Sequence, residues 1–145
     1  MLPVEVDGPL DGWIGFYGRE IFTNQLAAVR NGRLAFAYAH RDDSDEWLPW
    51  QWDSVSELTG IDTEGPLLGA TLRDPFFFAV DYVFAPSPEG DLIAFSSTGL
   101  GTWRGENASE LTGRRVQGQV GLWVGPDAQQ TLGVPMIHLA AAAAD

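Results

Sequence analysis

An all-β domain is expected for this chain, on three observations. Short segments of alternating or continuous apolar residues recur along its 145 residues, each closed by a cluster of Gly, Pro, Asn or Asp. Two pairs of these segments are joined by hairpin-type turns. No apolar pattern of helical period runs for more than a turn or two. Sequential hairpins and scattered glycines favour an antiparallel up-and-down β-barrel of about eight strands over a sandwich, since glycine relieves crowding where strands bend. A Trp-rich lid loop is expected to close it.

The firmest local signal is Arg30-Asn31-Gly32-Arg33. Asn-Gly tolerates the positive φ angles of a type I′ turn, and a two-residue loop fixes the register of its strands. Val29 then faces Leu34, Ala27 faces Phe36, Gln25 faces Tyr38 and Thr23 faces His40. Side chains alternate across a strand, so these eight share one face. Leu26, Ala28, Ala35, Ala37 and Ala39 take the other.

A second hairpin is read over Pro75–Ala85 and Asp91–Thr98, turning at Pro86-Ser87-Pro88-Glu89-Gly90. Phe76, Phe78, Val80, Tyr82 and Phe84 share one face of its first strand. Phe77, Ala79, Asp81 and Val83 share the other. Both faces are apolar, so both are expected to be covered, one by the barrel interior and one by a second subunit. A homodimer follows. Further strands are expected at Gly12–Phe22, Leu67–Arg73, Gly101–Arg104, Arg114–Val124 and Thr131–Leu139, with a helical turn at Asn107–Leu111. With no linker and no internal repeat evident, residues 1–139 read as one domain and 140–145 as a fraying tail.

Hydrophobic residues make up 45% of the chain, which argues against disorder. The chain has no cysteine, which excludes disulfides, a thiol nucleophile and thiolate zinc sites. A formal charge of −12 disfavours nucleic acid and anionic membrane surfaces as partners. Neither a signal-peptide pattern nor a membrane-spanning run is visible, so a cytoplasmic location is expected. The expected ligand is neutral or apolar.

Catalytic signatures are few. Asp81 in a dry lumen would titrate high and serve as an acid or base. His40 and His138 are the only imidazoles, too few for a metal site without carboxylate help, and no metal is expected. Asp42–Glu46 lacks the spacing of a calcium loop and reads as a solvated turn. What stands out is aromatic surface beside uncharged hydrogen-bonding groups. Trp47, Trp50 and Trp52 lie in the excursion Asp42–Gly65, where they either close one mouth of the barrel or pack on a short strand. The candidate lumen residues are Tyr38 and Tyr82 as hydrogen-bond donors to a substrate carbonyl, with Gln25, Phe36, His40, Phe78, Trp103, Gln119 and Trp123 around them.

In size, acidity, lack of cysteine and all-β pattern, including the late segment Leu111–Trp123 (LTGRRVQGQVGLW), the chain resembles the small β-barrel cyclases of polyketide pathways, of the spirotetronate [4+2] and allene-oxide-cyclase-like kinds. The resemblance implies a cofactor-independent cyclase whose hydrophobic lumen folds a linear polyene for intramolecular cycloaddition, by orientation and hydrogen bonding alone. Gly101-Thr102-Trp103-Arg104-Gly105-Glu106 is similar to a stretch of nitrobindin-type haem barrels, which implies His138 as axial ligand. There the motif opens the first strand, and here it lies two-thirds along, so no cofactor is the first expectation. A lipocalin-like binding barrel or a structural assembly protein is the remaining alternative.

Overall fold

A computed structural model describes residues 6–17, 21–73, 79–126 and 135–143, and its strands are antiparallel throughout. β1 (Leu10–Tyr17), β2 (Ile21–Arg30), β3 (Arg33–His40) and β4 (Gln51–Ser54) form one four-stranded meander, followed by the short helix α1 (Val55–Thr59). β5 (Leu68–Arg73), β6 (Ala79–Pro86), β7 (Leu92–Ser97) and β8 (Arg104–Asn107) form a second, followed by α2 (Ala108–Thr112). β9 (Val116–Pro126) and β10 (Pro135–Ala143) make a separate hairpin. Among the described residues the ladders close no barrel.

The Asn31-Gly32 turn has the expected positive φ angles, 50° and 74°. The predicted register holds at all four pairs, from Val29↔Leu34 to Thr23↔His40. Other boundaries move. The single strand expected over Gly12–Phe22 is two strands, β1 and β2, paired to each other. The strand expected at Gly101–Arg104 begins only at Arg104, because Gly99 and Gly101 adopt positive φ in a turn held by Thr102. Ala140–Ala143 does not fray but continues β10, paired to β9. The expected lid is not a loop either: residues 51–59 within it form β4 and α1.

The two meanders are copies of one unit, which corrects the expectation of no internal repeat. Asp7-Gly8-Pro9-Leu10-Asp11-Gly12 enters the first, and Glu64-Gly65-Pro66-Leu67-Leu68-Gly69 enters the second. Each unit ends on the same five residues, Ser56-Glu57-Leu58-Thr59-Gly60 and Ser109-Glu110-Leu111-Thr112-Gly113. The copies do the same work. The buried Ser56 and Ser109 hydroxyls each accept an N–H from the start of the unit's third strand, of Leu34 and Leu92, both at 2.9 Å. Gly60 and Gly113 each end the helix in the left-handed region, at φ 73° and 68°, where a β-carbon would be strained.

The units stack face on face. Directly paired residues share a face and neighbours along a strand alternate. The back of the first sheet therefore carries Trp13, Gln25, Ala27 and Phe36, and its front carries Gly12, Ile14, Leu26, Ala37 and Trp52. In the second sheet the front residues equivalent to these include Gly69, Thr71, Asp81, Val83 and Phe95. The back of the first packs on the front of the second. Trp13 lies so close over Gly69 that a β-carbon there would overlap its ring, and its indole donates to Thr71 Oγ1 at 3.0 Å. Leu34, Phe36 and Val55 from the first unit meet Val83, Ile93, Phe95 and Trp103 from the second in one buried core.

The β9–β10 hairpin contacts β5 in turn. It repeats the first half of a unit: Trp123-Val124-Gly125 matches Trp13-Ile14-Gly15. The second sheet is thus a middle layer. That is why β6 is apolar on both faces, with Val83 at 0% and Phe84 at 6% exposure. The first sheet takes the place of the expected barrel interior on the front of β6.

Candidate functional site

The expected lumen residues divide between layers. Gln25, Phe36, Tyr38 and His40 lie on the back of the first sheet, as the hairpin register requires. Phe36 is buried against Trp103 at 4.9 Å between ring centroids, so both are core. Trp103 Nε1 is buried there without a hydrogen-bond partner. Tyr38 donates to Gln51 Oε1 at 2.8 Å and stacks on His40. Tyr82 stacks on Phe84, on the back of the second sheet. Trp123 stacks on His138 and is 52% exposed, on the outer side of the β9–β10 hairpin. The second sheet therefore stands between Tyr38 and Tyr82, and the three aromatics do not share one cavity. Phe78 lies outside the described residues, as does the Gln119 side chain.

The three tryptophans of the expected lid also part company. Trp47 is bridged to Arg41, whose guanidinium sits 5.0 Å from the indole centroid. Trp50 is half-buried just before β4, at the position Trp103 takes in the second unit. Trp52 is on β4, paired with Ala37 and 50% exposed.

Two polar features remain. The first is a buried cluster where the units meet, formed by Gln25, Thr71, Asp81, Thr23 and the Trp13 indole. Gln25 Nε2 donates to Thr23 Oγ1 at 3.1 Å and to Asp81 Oδ1 at 2.9 Å. Thr71 Oγ1 accepts from Trp13 and lies 2.7 Å from both Gln25 Oε1 and Asp81 Oδ1. One hydroxyl proton cannot serve two acceptors. A protonated Asp81 resolves the count: it donates to Thr71, and Thr71 donates to Gln25. Desolvation pulls the same way, raising the Asp81 pKa above its usual 3.8 against the lowering effect of the Thr71 and Gln25 hydrogen bonds,.

A pH dependence follows. The folded state holds the Asp81 proton more tightly than the unfolded chain does. Its stabilising contribution is therefore complete below pH 3.8 and is lost as pH rises through the folded-state pKa. In urea unfolding at a series of pH values, the stability of wild type minus that of Asp81→Asn is expected to fall with rising pH. A difference that rises would show an ionised, stabilised Asp81 instead.

The second feature is an open groove of about 480 Å³ at the turn end of the first unit. It is lined by Arg30, Asn31, Arg33, Trp52, Ser54 and Glu57 over a floor of Leu34 and Ala35. Arg33 Nη1 pairs with Glu57 Oε1 at 3.1 Å, with both side chains mostly exposed. In the second unit Gly105 replaces Trp52, and Ile61 packs where a Gly105 β-carbon would stand. The groove is filled there and open here. Of its lining, the sequence singled out only Trp52. Asn31 was read purely as a turn residue. The signal available was the register, which sets Ser54 beside Ala35 and Trp52 beside Ala37 on one face.

Among the described residues no group of three or more His, Cys, Asp or Glu is placed to hold a metal ion, and no helix is long and apolar enough to cross a membrane. No protein-family model, curated protein or solved structure matches the chain.

Proposed function

We propose that the protein is a non-catalytic recognition module that binds a neutral, hydroxyl-rich small molecule, of the saccharide type, in the Trp52 groove. The observation that carries this is the half-exposed Trp52 ring among polar groups. An indole offers an apolar face to the C–H side of such a ligand. Asn31, Ser54 and the paired Arg33 and Glu57 supply both donors and acceptors for its hydroxyls. A small apolar platform with a few convergent polar groups is how small-molecule sites are built. The acidity of the chain is in keeping with an uncharged ligand.

Titration calorimetry against a panel of neutral mono- and oligosaccharides tests it. At least one is expected to bind, and Trp52→Ala is expected to weaken binding at least tenfold, about 1.4 kcal/mol, without altering the fold. No binding across the panel, or binding indifferent to Trp52, would refute it. The cyclase expected from architectural resemblance requires a closed apolar lumen shared by Tyr38 and Tyr82. No contact between described residues favours it over recognition.

A further inference from the structure

We infer that copies of this chain associate head to tail, the Trp123 side of one seating on the Gly12 face of the next, in the way Trp13 seats on Gly69 within each molecule. The inference starts from the repeat. Inside the molecule, the back of one unit covers the front of the following one, and the fit centres on a tryptophan knob over a glycine. Among the described residues two faces of the stack are left open at opposite ends, and each carries half of that pair.

At one end is the front of the first sheet. Gly12 occupies the place Gly69 has in the second unit, by the shared Gly-Pro-Leu-x-Gly entry. Around it the large apolar side chains are open, with Leu10 at 53% and Ile14 at 61% exposure. Near Gly12 the described residues of this face carry no charged side chain; its charges on β2 and β3 are Arg30 and Arg33, at the turn end. In the second unit the corresponding face is buried, with Val83 and Phe95 at 0%.

At the other end is the outer side of the β9–β10 hairpin. Trp123 matches Trp13 in sequence, and the register puts it with Gly125, Met136 and His138 on the face of the hairpin opposite Leu122 and Val124. Trp123 is 52% and Met136 42% exposed. A tryptophan held flat against an imidazole at 5.2 Å, 6° from parallel, is oriented before it meets its seat. On the receiving side Ile14 stands where Thr71, the acceptor of the Trp13 indole, stands in the second unit, and Asn24 stands where Asp81 does.

Two complementary surfaces at opposite ends of one molecule make a heterologous contact, which closes into a ring or extends as a filament. The partner is fixed as a second copy, because the chain itself displays the knob and the seat and shows how they fit.

Sedimentation velocity on the intact chain tests this. Wild type is expected to sediment above the monomer at micromolar concentration. Trp123→Ala removes the knob. Gly12→Gln fills the seat; its nearest neighbours, Gln25 O at 3.4 Å and a Leu26 methyl at 3.7 Å, leave room for the side chain within the monomer. Each variant alone is expected to be monomeric with unchanged circular dichroism. Mixed, they are expected to form a one-to-one pair that grows no further, since one intact knob and one intact seat remain. Ile14→Lys, exposed beside the seat, is a second block and is expected to behave as Gly12→Gln does. A monomeric wild type, variants that still associate alone, or a mixture that stays monomeric would overturn the inference.

Discussion

Trp13→Ala is expected to lower the unfolding free energy by about 3 kcal/mol, at the low end for a large buried aromatic because the ring is only partly covered. The loss has two parts: the ring leaves a void over Gly69, and Thr71 loses the indole donor at 3.0 Å. Gly69→Leu is expected to cost about 2 kcal/mol by forcing side-chain atoms into the space the ring occupies. In the double variant the leucine enters the volume the indole has left, so the combined cost falls short of the sum by at least 1 kcal/mol. Equilibrium denaturation of the four proteins gives the coupling. Strict additivity would mean that the two residues do not meet, and the stacking of the units would lose its central contact.

The second large effect belongs to the repeated serines. Ser56→Ala and Ser109→Ala each strand a buried N–H, of Leu34 and Leu92, that the hydroxyl now satisfies at 2.9 Å. Each substitution is expected to cost about 1–3 kcal/mol, Ser56→Ala the more, because its hydroxyl also donates to the Ile61 carbonyl at 2.6 Å. Leu58 and Leu111, two residues on in the same motif, are 47% and 80% exposed. Their replacement by Gln is expected to change stability by less than about 0.5 kcal/mol. A serine that tolerates alanine in one unit and not in the other would break the equivalence of the units.

Local chemistry was legible in the sequence where a short stretch decides it. Asn31-Gly32 specifies its turn, and with it eight side-chain directions, without help from the rest of the chain. The double-sided apolar character of β6 correctly announced cover on both sides. What covers it was not legible, because a barrel wall, a subunit and a neighbouring layer all bury an apolar strand equally well. Closure of a barrel depends on whether the fourth strand pairs with the fifth. Here residues 55–67 leave the sheet through α1 and the left-handed Gly60, so the chain starts a new meander. The repeat was visible in principle in Ser-Glu-Leu-Thr-Gly and in Gly-Pro-Leu-x-Gly. It was missed because strand-by-strand periodicity compares neighbours, and the two copies differ in nearly every residue between those motifs. The groove was least legible. Its walls come from a turn, a strand and a helix that only the fold brings together.

The six tryptophans offer the most direct test of the proposed function. In a nitrogen-15 NMR titration with the tightest-binding saccharide of the panel, the indole N–H of Trp52, assigned through Trp52→Phe, is expected to shift. The indoles of Trp13 and Trp103, one bonded to Thr71 and the other buried in the core, are expected to stay in place. Shifts confined to Trp13 and Trp103, with Trp52 unmoved, would place the ligand between the units and contradict the groove as the site.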